Sequence, residues 1–252
     1  KFIAYAGLVF PEFHENVHVR ALNYNPMLRT AMWVDPGSSA PYAALLVQYS
    51  PDEYVYVLDE IYRTGRVTDQ IIAEARSKWG HMILDDYKNP KQEIDVIIDR
   101  AAAEAAAVWR SHGWRAWGEK PKIKQGIEVH HRFLADPLLS RLPQTNDPED
   151  PGEVIPRIFF DPKCHNTIKE HGSYHYPDDI RKRVETNKSE LPVDIDNHTI
   201  DALRYGYYNT WPQLFNETPQ SEEIVVQEYQ DIGIDVSYAG IQDSYSQMDA
   251  MF

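Results

Sequence analysis

A single cysteine, Cys164, serves the whole 252-residue chain, so no disulfide can form within it, and that usage is expected of a reducing compartment. Long apolar runs are also missing. The longest, Ala43 to Val47 and Ala101 to Trp109 with Glu104 inside, fall far below the roughly 20 residues that a membrane-spanning helix needs, so we expect no such span. No stretch reads as a cleavable signal peptide. Positive charge is scarce, with 25 Lys and Arg against 39 Asp and Glu and a formal net charge of −14, which at first argues against a phosphate-backbone ligand. The distribution says more. Gln213 to Phe252 carries eight carboxylates and no Lys or Arg, which leaves −6 for the remainder. From Arg110 to Arg141, seven basic residues stand against three acids, so a local basic surface can exist on an acidic chain. The chain opens on Lys1, which reads as an excised piece of something longer.

What is present is ordinary for a globular chain: 42% hydrophobic and 25% charged residues exclude general disorder, collagen and coiled coil. Residues 1–28 hold aromatics and histidines without a sustained period and read as a linker segment packing on a domain. Ala31 to Val34 is a short buried strand ending in the turn Asp35-Pro36-Gly37, and Tyr42 to Tyr49 and Tyr54 to Ile61 complete an antiparallel meander. Thr68 reads as the N-cap of a helix over Asp69 to Trp79. Further strands are expected at Ile94 to Ile98, Trp114 to Trp117 and Arg157 to Phe160. Further helices are expected at Ala101 to His112, Lys124 to Leu134, Pro162 to His171 and Asn197 to Tyr208. Leu142 to Pro156, with four prolines, is a loop excursion, and 213–252 an acidic tail expected to be flexible. The order predicts an α/β fold over 29–212: a mixed sheet in which the antiparallel three-strand meander is continued by parallel βαβ units, with helices on both faces.

In such sheets, sites gather at the carboxyl ends of strands, which selects three acids. Asp35 ends the first strand and Asp99 the fourth. If those strands are parallel neighbours, both carboxylates project at one edge. His198 and Asp201, three residues apart, share one face of the last helix. Three acids and an imidazole suit hard divalent cations such as Mg²⁺ or Mn²⁺, and two such ions can activate a water and stabilise the leaving oxygen of a phosphodiester. Each residue has a plainer reading: Asp35 as a turn residue, Asp99 as an N-cap, Asp201 as a solvated partner of Arg204, and His198 as an ordinary polar helix residue. The joint pattern is what singles them out.

These motifs carry a resemblance. Gly7-Leu8-Val9-Phe10-Pro11-Glu12-Phe13 resembles the segment joining motor to nuclease in the large terminase subunits of tailed bacteriophages. Trp33-Val34-Asp35-Pro36-Gly37 and Val96-Ile97-Ile98-Asp99 are similar to the first and second acidic strands of their C-terminal nuclease domain. His198-Thr199-Ile200-Asp201-Ala202-Leu203-Arg204-Tyr205 is similar to its final acidic helix. The resemblance implies an RNase H-like fold and a metal-dependent endonuclease acting on double-stranded DNA, with Asp35, Asp99 and Asp201 as ligands of Mg²⁺ or Mn²⁺. His198 then lies near the metals, and Asp196 close enough to be a supporting or alternative ligand. It also implies an N-terminal ATPase domain, a portal and a small terminase subunit as partners, and a place at the procapsid in the host cytoplasm. No Gly-x-x-x-x-Gly-Lys-Ser/Thr occurs here, so this piece is not itself the motor. Lys120, Lys122, Lys124 and Arg132 are candidates for DNA backbone contacts, with a solvated polar face as the plainer reading. Competing functions are a phosphate-binding ATPase of the actin or sugar-kinase type, a junction resolvase or transposase, and a non-catalytic docking module with an acidic tail.

Overall fold

Both faces of the central strands are covered, which is why their sequences are nearly continuous apolar runs rather than alternating ones. The computed structural model describes residues 7–37, 39–136, 154–177 and 191–215. The chain divides into two units, Lys1–Pro212 and Gln213–Phe252, and the sheet lies within the first. The expected tail beyond Phe215 and most of the proline-rich loop lie outside the described residues.

Strands β1 (Arg29–Asp35), β2 (Tyr42–Tyr49) and β3 (Val55–Arg63) form the antiparallel meander. Parallel strands extend it on both sides: β4 (Asp95–Ile98) beside β1, β5 (Arg115–Trp117) beside β4, and β6 (Ile158–Phe160) beside β3, giving the order β5-β4-β1-β2-β3-β6. Among the helices, the one-turn α1 (Glu15–His18) lies in the N-terminal segment, whose Val9, Phe10 and His18 are buried in the core.

Helices α2 (Thr68–Ile83) and α3 (Ala103–Ser111) close one face of the sheet over Met32, Val34 and Leu46, with Trp79 and Trp109 as the bulky filling. The indole N–H of Trp109 donates to Tyr42 Oη at 2.9 Å, and that of Trp79 to Asp59 Oδ2 at 2.9 Å, so neither large ring buries an orphaned donor. On the opposite face lies α6 (His198–Thr210), with α4 (Ile123–Leu134) and α5 (His165–Ser173) packed against it. Gly206 makes the approach of α6 possible, because a Cβ there would stand 1.9 Å from Trp33 Cδ2.

Helix starts differ from the sequence reading for identifiable reasons. Thr68 is the first residue of α2 rather than its cap; Val67 holds the cap position, and its N–H donates to the Gln70 side chain at 3.3 Å. Helix α3 begins two residues later than expected because the Asp99 carboxylate accepts the Ala101 N–H at 2.9 Å and holds a turn. Helix α5 begins at His165, since Asp161 organises the preceding turn, accepting the N–H of Lys163 on its side chain and that of Cys164 on its carbonyl.

Candidate functional site

The parallel register of β1 and β4 runs through Val34↔Ile98, so the next residues, Asp35 and Asp99, follow side by side at the carboxyl edge of the sheet. Helix α6 crosses the face to which Trp33 points and brings its first turn to the same edge. There His198 Nδ1–H donates to Asp35 Oδ2 at 3.1 Å. Asp201, three residues on, is bonded by its own helix: Oδ1 accepts from Arg204 Nε at 3.1 Å and from Arg204 Nη2, and Oδ2 from Tyr205 Oη at 3.4 Å. Asp99 Oδ2 lies 3.1 Å from Lys120 Nζ, and that ammonium stands 5.7 Å from the centre of the Tyr205 ring.

The electrostatics tie these groups together. Burial raises the Tyr205 phenol far above its ordinary value, and Asp201, Asp35 and Asp99 each push it further in the same direction. Burial also raises the Asp201 carboxyl; Arg204 opposes that rise and the neighbouring charge of Asp35 adds to it. The imidazole of His198 is raised chiefly by its hydrogen bond to Asp35, with Glu170 and Asp201 contributing more weakly. Arg204, only 1% exposed, keeps its charge because Asp201 lies beside it. Room for the aliphatic stem of Arg204 comes from Gly126 on α4, where a Cβ would stand 2.7 Å from Arg204 Cδ.

Each acid is thus partnered by a basic side chain of the chain itself: Asp35 by His198, Asp99 by Lys120, and Asp201 by Arg204. As the side chains stand, no three His, Cys, Asp or Glu groups among the described residues gather tightly enough to share one ion. The donor set nevertheless fits a hard divalent cation: carboxylate oxygens and one imidazole at a single edge, in a negative field now balanced by protein cations. Asp35, Asp99 and Asp201 are the residues that would hold it, with His198 beside Asp35. A groove of about 710 Å³ starts at Pro36 and Gly37, next to Asp35, and runs past Arg66 and Thr68 to Ala102.

Other candidates fall elsewhere. Asp196 is exposed at φ +50°, and its carboxylate lies 3.8 Å from Lys169 on α5, with none of the three acids as its partner. Lys120 belongs to the acidic site rather than to an open basic face. Lys122 and Lys124 are exposed at the start of α4, while Arg132 is half-buried in its last turn, so the four do not form one patch. The basic run also spends charge internally: Arg115 pairs with Asp95, and Arg110 donates to the Ala116 carbonyl at 2.9 Å. Arg204, Tyr205 and Glu170 escaped the sequence reading. The three-residue spacing of Asp201 and Arg204 pointed only to a surface pair, and nothing local marks Glu170.

A sheet of this order, with acids at the ends of adjacent parallel strands and on a late helix, has the RNase H-like fold. Its neighbours among solved structures are large terminases of phages. The large terminase of a thermophilic bacteriophage, in complex with ADP, superposes with a TM-score of 0.62 at 20% identity, covering 82% of this chain and 45% of that one. The P22 large terminase nuclease domain superposes with a TM-score of 0.58 at 14% identity, covering 81% of this chain and 93% of that domain. The nuclease domain of SPP1 g2p with bound Mn aligns at 19% identity over 72% of this chain and 86% of that one, with a lower TM-score of 0.47. This chain therefore spans less than half the length of the ADP-bound terminase. No family model matches the sequence, and no curated protein does.

Proposed function

We propose that this chain is the nuclease part of a large terminase subunit, a metal-dependent endonuclease that cuts concatemeric double-stranded viral DNA during genome packaging. The observation that carries the reading is the meeting of three chain-distant elements at one edge: Asp35 and Asp99 on paired strand ends, and α6 joined to Asp35 through His198 at 3.1 Å. The likeness in fold to terminase chains supports it. One or two bound Mg²⁺ or Mn²⁺ ions would supply Lewis-acid activation of a water and neutralise the leaving oxygen of the phosphodiester. The chain's own part is to bind and orient. Asp35, Asp99 and Asp201 provide the charge. His198, with Nδ1–H committed to Asp35, keeps Nε2 as the ring atom free to accept a proton. Arg204 and Tyr205 hold Asp201 in place, and the groove beside Pro36 and Gly37 leaves room for a backbone strand. Contacts to phosphates carry no base information, so weak sequence preference is expected. On this reading the partners are DNA, an ATPase domain, a portal and a small terminase subunit, at the procapsid in the host cytoplasm.

Plasmid cleavage with Mg²⁺, Mn²⁺ and EDTA tests the proposal. Cutting should require the metal and be lost in a folded Asp35→Asn variant; cutting that persists in EDTA overturns it. One observation favours a second reading, a non-catalytic docking module: every acid at the edge already has a basic partner within the protein. Failure of the wild-type protein to bind Mn²⁺ in a calorimetric titration would select that reading.

A further inference from the structure

The first turn of α6 carries His198 and Asp201, yet Asn197 at its cap position makes no side-chain capping bond. The orphaned N–H groups of that turn are met from another helix. Glu170 of α5, 2% exposed, accepts the Thr199 N–H at 2.7 Å, the Thr199 hydroxyl and the more distant Ile200 N–H at 3.4 Å, all on Oε2. Its Oε1 accepts the Tyr62 hydroxyl at 2.8 Å, and the Tyr62 ring lies 6.2 Å from that of His198.

The same device recurs one element earlier. Glu60 on β3, 6% exposed, accepts the Asn166 N–H at 2.7 Å and the Thr167 N–H at 2.9 Å, together with both side chains. These residues open α5, whose cap position, Cys164, makes no side-chain capping bond either. One buried carboxylate thus ties α5 to the sheet, and a second ties α6 to α5. A Ser, Thr or Asp at position 197 would stop the helix equally well. It would not, however, fix the rotation of α6 against the strands that carry Asp35 and Asp99. One residue of slip turns a helix by roughly 100°, enough to take both His198 and Asp201 away from the edge.

We propose that Glu170 is a positioning residue of the metal site: by capping α6 from α5 it fixes the rotation at which His198 meets Asp35 and Asp201 faces the same edge. This rests on the metal-nuclease reading above, and the test separates the two. In the full chain, at a temperature where circular dichroism shows each variant folded, Mn²⁺ alone is titrated calorimetrically into wild type, Glu170→Gln, Thr199→Val and Asp59→Asn. In the metal-free protein, the His198 imidazole resonances are followed by NMR.

Gln conserves volume but places an N–H₂ group among donors, so Glu170→Gln should weaken Mn²⁺ binding by about 10-fold to 100-fold, the usual cost of losing a partner behind the ligands. It should also shift the His198 Nδ1–H signal. Thr199→Val, which removes one donor and keeps the backbone N–H, should weaken binding by about threefold to fivefold, and it carries the test if the Gln variant does not fold. Asp59→Asn disturbs a different buried carboxylate, bonded to Trp79 and Lys78, and should lower the melting temperature while leaving Mn²⁺ affinity within about twofold. A folded Glu170→Gln protein with wild-type Mn²⁺ affinity and an unmoved His198 signal overturns the inference. A wild-type protein that binds no Mn²⁺ overturns the nuclease reading instead, and the His198 signal then still decides whether Glu170 positions α6.

Discussion

At the carboxyl edge of the sheet, acids stand in pairs with basic side chains that range from buried Arg204 to exposed Lys120, whereas where α1, α4 and α5 meet, the buried polar groups are neutral and chained. His18, His130 and His171 are all fully buried. The Thr167 carbonyl can only accept, so His171 Nδ1 carries the proton that reaches it at 2.7 Å, and His171 Nε2 is left to accept from His130 Nε2–H at 2.7 Å. His130 Nδ1 in turn accepts the Tyr207 hydroxyl at 2.7 Å. Burial holds the His171 imidazole down to about 3 and lowers that of His130 as well, whereas His198 at the edge is raised. The contrast shows two ways of satisfying polar groups: a closed neutral chain that only has to stay in place, and a set of acid–base pairs whose basic members can be exchanged for another charge. Helix α6 belongs to both, presenting His198 and Asp201 at one end and Tyr207 further along.

The largest effect is expected from breaking the exchangeable set. Asp35→Asn should lower metal-dependent plasmid nicking by about a thousandfold, equivalent to about 4 kcal/mol of transition-state stabilisation, while the melting temperature barely moves because the volume is unchanged. Gly206→Ala should affect both regions through their shared helix. With a Cβ 1.9 Å from the Trp33 ring, α6 has to shift, and urea unfolding should show a loss of about 1–3 kcal/mol together with reduced nicking.

Acid sharpens the comparison. Below about pH 6.5 the unfolded chain protonates its histidines, while native His171 stays neutral down to about 3. Stability should therefore fall as pH drops through that window, by up to about 1.4 kcal/mol per pH unit for each such residue. His198 works in the opposite direction: its contribution is complete below 6.5 and is lost as pH rises through its raised value. Urea midpoints measured from pH 4 to 9 should thus fall on the acid side mainly because of the neutral chain, and His171→Asn should flatten that arm. The smallest effect belongs to the exposed lysines of α4. Lys122→Ala with Lys124→Ala should weaken DNA binding less than about tenfold at low salt and reduce the salt slope by no more than about 2.

Much of this was readable residue by residue. Strand ends at Asp35 and Asp99 show as apolar runs broken by an acid, and the His198–Asp201 spacing shows as one helix face, because both depend only on the local period of side chains. Helix starts were less legible at Thr68, Ala101 and Pro162, since side-chain caps and turns move them by a few residues. The DNA-binding set was read as a basic run, but Lys120, though exposed, is paired with Asp99, and Arg132 sits at the far end of α4.

By itself, then, the sequence determined the elements, their order, and which acids stand at strand ends, since periodicity and turn chemistry act over a few residues. Only the tertiary structure decided that Asp35 meets His198 and Asp99 meets Lys120, that the Arg204–Asp201 pair is buried beside Gly126 rather than solvated, and that Glu60 and Glu170 cap helices far from them in the chain. Those outcomes depend on which surfaces are withdrawn from water together. A buried carboxylate must find donors wherever the packed layers place them, and those donors lie 107 residues away for Glu60 and 29 for Glu170.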